Sequence, residues 1–368
     1  MNITLYGAAG EVTGSAYHVQ TGRASVLVDF GLFQGRHLVS SANRVPSQLQ
    51  AADLDAVVLT HAHLDHTGRL PLLGQSGYQG PIYGTPATLE VTRLILEDAG
   101  KLQEQDTART NRRLSETGKP PLEPLFTAAD VARLLPLFKP LPYVTPFAVA
   151  PGVSVQLFEA GHILGSASIE MALDNSGVER VVVFSGDIGP RNAPILRDAA
   201  CLTRADLVFL ESTYGDRNHR SLAETVAEFR QLVSATVAQR GKILVPTFAV
   251  GRAQQILFHL AGMFQEKLVP PFPVILDSPM ATEATRLYAR HPELFDDEMR
   301  LLAGKKNFLE HLPSLRHSVT ADDSRALNDL PGPCLIMAGA GMCNGGRIQH
   351  HLRHNLGRAG TVVIIVGY

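Results

Sequence analysis

The chain has no tryptophan, only three cysteines, no surplus of charge of either sign and no long apolar run. Cys201, Cys334 and Cys343 are odd in number and far apart, and no C-x-x-C pair occurs, so neither a disulfide framework nor a thiolate zinc site is expected. No apolar stretch approaches the ~18 residues of a membrane span, which excludes a helical membrane protein. The opening Met1-Asn2-Ile3-Thr4-Leu5-Tyr6-Gly7 lacks a basic segment followed by an apolar one, so no secretory leader is expected and the cytoplasm is the expected location. Lys plus Arg number 33 against 35 Asp plus Glu, a net charge of -2, so any site for a polyanion must be a local patch.

What is present is a globular composition, 45% hydrophobic and 18% charged, in 368 residues, a length that suits two domains. The first third reads as short strands broken by glycine turns: Ile3–Tyr6, Ser15–Val19, Ser25–Val28 and Ala56–Thr60. Three-to-four apolar spacing predicts helices over about 87–105 and 128–138, and Thr110–Pro124, with Arg112, Arg113, Lys119, Pro120 and Pro121, reads as an exposed polar connection. Strands resume at 153–159, 167–173 and 180–184. From residue 206, apolar strands at 207–210, 243–245, 274–276, 335–337 and 362–365 alternate with amphipathic helices near 221–239, 252–267 and 281–290, the pattern of a parallel α/β sheet. A boundary is therefore expected near 190–206, dividing a strand-rich domain, 1–205, from a doubly wound one, 206–368. No internal repeat or low-complexity tract is present.

The chemistry concentrates in His61-Ala62-His63-Leu64-Asp65-His66. Alternate residues of an extended segment share a side, so His61 and His63 can reach one ion. If the chain then turns into a helix, Asp65 and His66 can reach a second. Imidazoles with carboxylates suit a borderline-soft ion such as zinc. His162, between glycines after an apolar strand, and Asp187, in Ser185-Gly186-Asp187-Ile188-Gly189, complete a site that otherwise lacks ligands. Each alone would be unremarkable. Asp29 ends the strand Val26-Leu27-Val28 and either caps a turn or orients a ligand, as metal-bound histidines require. Two zinc ions roughly 3.5–4 Å apart can share a bridging hydroxide near neutral pH, with Asp187 bridging from the opposite side.

Asp29, His61-x-His63-x-Asp65-His66, His162 and Asp187, in this order on strand ends, resemble the metallo-β-lactamase superfamily. Gly7-Ala8-Ala9-Gly10-Glu11-Val12-Thr13-Gly14-Ser15, Phe209–Arg217, Pro246–Gln254, Leu276–Met280 and Gly339–Arg347 resemble its β-CASP branch, over essentially the whole chain. The similarity is to bacterial and archaeal ribonucleases related to the cleavage and polyadenylation factor endonuclease. It implies an αββα four-layer domain with an inserted β-CASP domain, RNA passing between them, and phosphodiester hydrolysis over two Zn2+ ions. By resemblance His61, His63 and His162 hold one ion, Asp65 and His66 the other, Asp187 bridges, and Glu211 supports the site through hydrogen bonds to a ligand; Asp65, His66, Asp187 and Glu211 form the catalytic set. Single-stranded RNA is the implied partner, with endonucleolytic and optional 5′→3′ exonucleolytic cleavage, and dimers are common among such relatives, which leaves a homodimer open.

Several second-domain residues make sense as phosphate contacts within that resemblance. Gly345 and Gly346 permit close backbone approach, Arg347 can pair bidentately, and the helix beyond carries His350, His351, Arg353, His354 and Arg358 as a basic surface. Thr247, Arg252 and Ser278 are raised by the family pattern alone. The resemblance also implies two later histidines, one a proton donor and one a ligand of the second zinc, without counterparts before Tyr368. The expectation is a shortened form of an active nuclease; a natural short form with a weakened second zinc site, or a catalytically impaired RNA-binding subunit, is the alternative. A small-molecule ester or thioester hydrolase on the same metal site is the other enzyme reading, opposed by the long second domain.

Overall fold

Strand residues of the first half alternate between two apolar surfaces. Leu27, Val57 and Leu59 belong to one buried core, and Val26, Val28, Ala56 and Val58 belong to another. A sheet apolar on both faces is a sheet covered on both faces. The computed structural model describes residues 1–35, 41–175, 177–303 and 308–367. They pack as two compact units, one of Met1–Arg191 with Asp198–Gly215, the other of Asn192–Arg197 with the chain from Asp216 onward.

The first unit holds two sheets. One runs β1 (Asn2–Leu5), β2 (Tyr17–Gln20), β3 (Ser25–Val28), β4 (Ala56–Val58), β5 (Ile82–Gly84) and β6 (Phe138–Pro140), in that order across the sheet. Its first three strands pair antiparallel and the rest parallel. Parallel neighbours need crossovers; that from β4 to β5 carries α1 (Leu64–Thr67) and α2 (Leu70–Gln75), and that from β5 to β6 carries α3 (Pro86–Glu116) and α4 (Ala128–Leu134). The second sheet comprises β7 (Phe147–Ala150), β8 (Val153–Glu159), β9 (Ala167–Asn175), β10 (Val178–Phe184) and β11 (Leu207–Phe209), in the order β11-β10-β9-β8-β7. Val155, Leu157, Ile169, Met171 and Phe184 of this sheet interleave with the Val26–Val58 face of the first, while Leu70, Leu73, Leu96 and Val131 pack its other face. Helices, sheet and sheet are thus stacked as layers.

The second unit is a wholly parallel five-stranded sheet with flanking helices. In chain order these are α5 (Leu222–Ala238), β12 (Lys242–Pro246), α6 (Arg252–Gln265), β13 (Val274–Leu276), α7 (Pro279–Arg290), α8 (Asp297–Ala303), β14 (Leu315–His317), α9 (Ala321–Ala326), β15 (Cys334–Ala338), α10 (Gly346–Asn355) and β16 (Thr361–Val363). The strand order is β14-β13-β15-β12-β16. Leu244, Ile275, Cys334, Ile336 and Ile348 form its core. No helix of the described residues is long and apolar enough to cross a membrane.

Three expectations shift. The strand expected to open the second domain, β11, pairs in parallel with β10 and closes the first unit's sheet, so the chain from 198 to 215 packs with the first unit. The helix expected to end near 105 continues to Glu116, because Ala108, Arg109, Arg112, Arg113 and Leu114 favour helix although no apolar stripe marks them. The segment expected as one helix over 128–138 is α4, a 3-10 turn at Leu135–Leu137 and strand β6. Strand β14 and helices α8 and α9 were not expected; each is short and lacks a clear period.

Candidate metal centre

All the candidate ligands of the first unit follow the carboxyl ends of strands. Asp29 follows β3, His61 lies two residues past Thr60's neighbour Leu59 beyond β4, His162 follows β8, and Asp187 follows β10. Strands β3 and β4 are parallel, and β8 and β10 both run antiparallel to β9, so each pair delivers its residues to one end of its sheet. Two close approaches seat the loops. A Cβ on Gly189 would lie 1.9 Å from the Gly161 carbonyl oxygen, so the His162 and Asp187 loops touch backbone to backbone. Gly186 has φ +57, and its Cβ would lie 2.7 Å from that of Thr60. Only glycine fits such a position.

The side chains converge. His61, His63, His162 and Asp187 each offer a ligand atom, all within 4.8 Å of one another. His63 Nδ1 lies 3.2 Å from His61 Nε2 and 3.1 Å from His162 Nε2. Asp187 Oδ2 lies 3.6 Å from His61 Nε2 and 3.5 Å from His162 Nε2. Bonds of 2.0–2.1 Å on a tetrahedral zinc ion place ligand atoms about 3.3 Å apart, close to these spacings. Three imidazole nitrogens facing one point cannot satisfy one another, since a neutral ring has one donor and one acceptor. A cation among them satisfies all three. Burial pulls the His61 imidazole well below its ordinary value and pulls His63 down too, so both are neutral rings with a lone pair to offer.

Asp187 faces a second direction as well. Its Oδ1 lies 3.2 Å from His66 Nε2, while His66 Nδ1 lies 2.8 Å from Asp29 Oδ2. Burial alone pulls the His66 imidazole down, but Asp29 and Asp187 outweigh it and hold the ring well above the ordinary histidine value. Burial likewise opposes ionisation of Asp187, yet His61, His66 and His162 hold its carboxyl far below the usual range. Asp65, in the first turn of α1, stands outside the set of four and acts on His63 through its charge.

Asp29 orients the cluster. It is fully buried, with φ +56, and accepts from the Thr60 amide (2.8 Å), the Thr60 hydroxyl (2.7 Å) and His66 Nδ1. Thr60 Oγ1 also lies 3.2 Å from His61 Nδ1, so one hydroxyl serves both a carboxylate and a candidate ligand. Ligand-orienting groups of this kind typically carry 10–100-fold in metal affinity, so Asp29→Asn is expected to weaken metal binding by about that factor, read by titration with a competing chelator. Unchanged affinity would mean His66 is held by Asp187 alone.

Glu211 behaves differently from the expectation of a hydrogen bond to a ligand side chain. Its Oε1 accepts from the Ile188 amide (3.1 Å), its Oε2 accepts from the Thr213 amide (3.3 Å), and its own amide donates to Ser185 Oγ. Glu211 therefore holds the chain on either side of Asp187, through the Ile188 amide and the Ser185 hydroxyl, rather than the ligand itself. A carboxylate reaches amide hydrogens more readily than another carboxylate, which has none to give.

Sequence reasoning passed over Thr60, Tyr17 and Arg69. Tyr17 packs its ring on Phe184 and Phe209 at 5.1 and 5.2 Å, and burial with the charges of Asp29 and Asp187 raises its phenol. Arg69 is fully buried three residues past His66, with its guanidinium over Phe30 and Phe33. It donates to the Gly31 carbonyl, and to those of Ala42 (3.2 Å), Tyr6 (3.3 Å) and Gly14 (3.1 Å). Adjacency to the histidine cluster was the available signal for Thr60; nothing in the sequence marks the burial of Arg69.

The second-unit candidates divide. Thr247 is buried at the end of β12, its hydroxyl donating to the Phe248 carbonyl (3.2 Å). Arg252 starts α6, exposed, donating to Gln255 (2.7 Å). Ser278 caps α7, accepting from the Ala281 amide (3.1 Å). Gly345 precedes α10 without a capping side chain, and Gly346 has φ +71, where a Cβ would lie 2.3 Å from the Gly339 carbonyl oxygen. Arg347 also meets partners within its own unit. Its Nη1 donates to Asp277 (2.7 Å) and to the Ser318 carbonyl (3.2 Å), and its Nη2 to the Val319 carbonyl (2.8 Å). The buried Asp277 carboxylate demands a charge, so the guanidinium turns inward. The basic helix surface is also reduced. His351 is buried with Nε2 2.6 Å from Asp277, while His350, Arg353, His354 and Arg358 stay exposed, Arg358 also donating to the Asn328 carbonyl.

Comparison with known proteins places this geometry. Residues 9–241 match the family described as Metallo-beta-lactamase superfamily, and residues 253–368 match the Beta-Casp domain. Over its whole length the chain is 41% identical to the protein named Ribonuclease TTHA0252 of Thermus thermophilus, spanning 79% of it. It is 31% and 30% identical to proteins named Transcription termination factor FttA from Methanosarcina mazei and Methanocaldococcus jannaschii, and spans 56% of each, just over half their length. In three dimensions it resembles a crystal structure of a protein of unknown function from Enterococcus faecalis, with a TM-score of 0.50 and 14% identity, covering 92% of this chain and 77% of the other. That likeness concerns the fold alone.

Proposed function

Because this chain belongs to the metallo-β-lactamase superfamily and carries a Beta-Casp domain, we propose that it is a zinc-dependent hydrolase of RNA phosphodiesters. The observation that carries the reading is the four ligand atoms within 4.8 Å of one another, with the second Asp187 oxygen turned to His66. RNA as substrate draws support from the relative named a ribonuclease. His61, His63 and His162 would hold one ion, Asp65 and His66 the other, and Asp187 would serve both. Zinc bound there supplies Lewis acidity toward a phosphate oxygen and a nucleophile at neutral pH.

The chain's own residues do the rest. Asp29 and Thr60 fix the ring planes of His66 and His61, and Glu211 fixes the loop that carries Asp187. Single-stranded RNA is the proposed substrate, cut internally, with 5′→3′ trimming as a further mode of the same site, and a homodimer as the proposed assembly. A catalytically impaired RNA binder would have no use for three neutral or carboxylate-paired imidazoles poised around one point.

The test is direct. Metal-supplemented protein is incubated with single-stranded RNA, with and without chelator, beside His63→Ala, and metal per chain is counted by mass spectrometry. The expected outcome is cleavage abolished by chelator and by the substitution, with internal products. RNA bound but left intact by metal-loaded protein would overturn the nuclease reading, and full metal content in His63→Ala would overturn the ligand assignment.

A further inference from the structure

Helix α3 is much longer than its packing requires. It runs 31 residues, about 46 Å at 1.5 Å per residue, yet its buried residues end at Gly100. The final four turns and the segment returning from them stand off the core, exposed or half-buried throughout. Burial therefore does not account for this arm, and hydrogen bonds hold it in shape. The Asn111 side chain donates to the Leu122 carbonyl (2.9 Å) and accepts from the Leu122 amide (2.8 Å), clamping the returning strand to the helix. Lys119 N donates to the Leu114 carbonyl (3.1 Å), and Gly118, with φ +66, turns the chain.

The charge on the arm is segregated. From 97 to 106 the stem carries Glu97, Asp98, Glu104 and Asp106 against Lys101, whereas the tip between 109 and 119 carries Arg109, Arg112, Arg113 and Lys119 against Glu116 alone. Arg109 pairs with Asp106 at 3.3 Å; among the described residues no carboxylate pairs with Arg112, Arg113 or Lys119. The helix dipole favours cations in a last turn, but Lys119 lies beyond the helix, so the dipole does not explain the whole cluster. The large apolar side chains exposed on the arm are Leu102 and Leu122, too few for an apolar protein interface.

We propose that the tip of α3 is a phosphate-tracking contact for single-stranded RNA, a secondary site remote from the metal centre. This rests on the nuclease reading. The other end of the same helix adjoins the centre, since Thr85 and Thr88 hydroxyls both donate to the Gly165 carbonyl in the His162 loop, at 2.7 and 2.6 Å. Arg112 and Arg113 thus lie about 40 Å along the helix from its end beside the His162 loop, roughly 12 nucleotides at a stacked spacing of 3.4 Å and fewer if extended. Long strands can engage both; very short ones cannot. The tip would select for substrate length, not for sequence, because phosphate contacts carry no base information.

The test compares wild type with an Arg112→Gln/Arg113→Gln/Lys119→Gln variant and with a charge-retaining Arg112→Lys/Arg113→Lys/Lys119→Arg variant, all metal-loaded. Binding of a 24-nucleotide phosphorothioate RNA is followed by anisotropy from 50 to 200 mM salt, and cleavage is measured on unmodified 24-nucleotide and 5-nucleotide strands. Three phosphate contacts at about 0.7 each make the salt slope of the glutamine variant shallower by about 2, so over this range wild type loses roughly fifteen- to twentyfold more affinity. The glutamine variant raises KM for the long strand and leaves kcat and the short strand unchanged, and the charge-retaining variant matches wild type. If wild type cleaves RNA and the glutamine variant keeps the wild-type slope, the tip contact is overturned and the nuclease reading stands. If wild type binds without cleaving and the slope still falls, the tip contact stands and the nuclease reading falls. If wild type neither binds nor cleaves, both fall.

Discussion

Asp187→Asn is expected to lower RNA hydrolysis on the order of 10³-fold and to remove more metal than Asp65→Asn does. The reason is placement. Asp187 turns Oδ2 toward His61 and His162 and Oδ1 toward His66, so among the described residues it is the one carboxylate addressing both groups of imidazoles. Losing a group that stabilises developing charge typically costs 10²–10³-fold, and losing ligand character at two ions at once belongs at the upper end. Asparagine keeps the shape and removes the charge, so the fold is spared. Metal per chain by mass spectrometry, together with single-turnover cleavage, decides the matter. Equal metal loss in the Asp65 and Asp187 variants would show that the two oxygens do not serve separate ions.

Arg347→Ala is expected to destabilise the second unit by about 1.5–3 kcal/mol, the usual worth of a hydrogen bond to a charged group, because the guanidinium is partly exposed and Asp277 keeps other donors. Asp277 is fully buried, and accepts from Arg347, from Ser324 Oγ at 2.6 Å and from His351 at 2.6 Å. Urea denaturation reads the loss. A phosphate ligand at this position would instead leave stability intact and weaken RNA binding, so the two roles separate cleanly. Acid provides a second readout. Burial pushes the Asp277 carboxyl up, but hydrogen bonds from His351, Ser318, Ser324 and Arg347 bring it down to about 2, below its ordinary 3.8. A depressed carboxylate stabilises the fold fully above its unfolded value and loses that contribution as pH falls toward its folded value. Wild type should therefore shed this contribution between about pH 4 and pH 2, and Asp277→Asn should show no such step.

How far the sequence reached depends on whether the signal was local. The His61–His66 segment was legible because its four ligand-type residues are neighbours in the chain, and strand direction alone puts His61 and His63 on one side. The doubly wound second unit was legible because each strand and helix carries its own period. The outer part of α3 was not, since beyond Gly100 it buries nothing and so shows no apolar stripe. Glu211 and Arg347 were located, but their partners within the fold were not legible: one meets the Ile188 amide, the other the buried Asp277 carboxylate.

The sequence by itself determined the donor chemistry, the strand and helix content, and the family to which these motifs belong. Tertiary structure alone decided which donors meet. His162 and Asp187 stand about a hundred residues or more from His61 in sequence, and they join it because two sheets deliver their strand ends to one place and two glycine loops touch. It also decided which charges face water, since a guanidinium goes where a buried carboxylate would otherwise lie unpaired. Local pattern specifies the conformation of a segment, whereas desolvation and charge pairing are set only once distant segments pack.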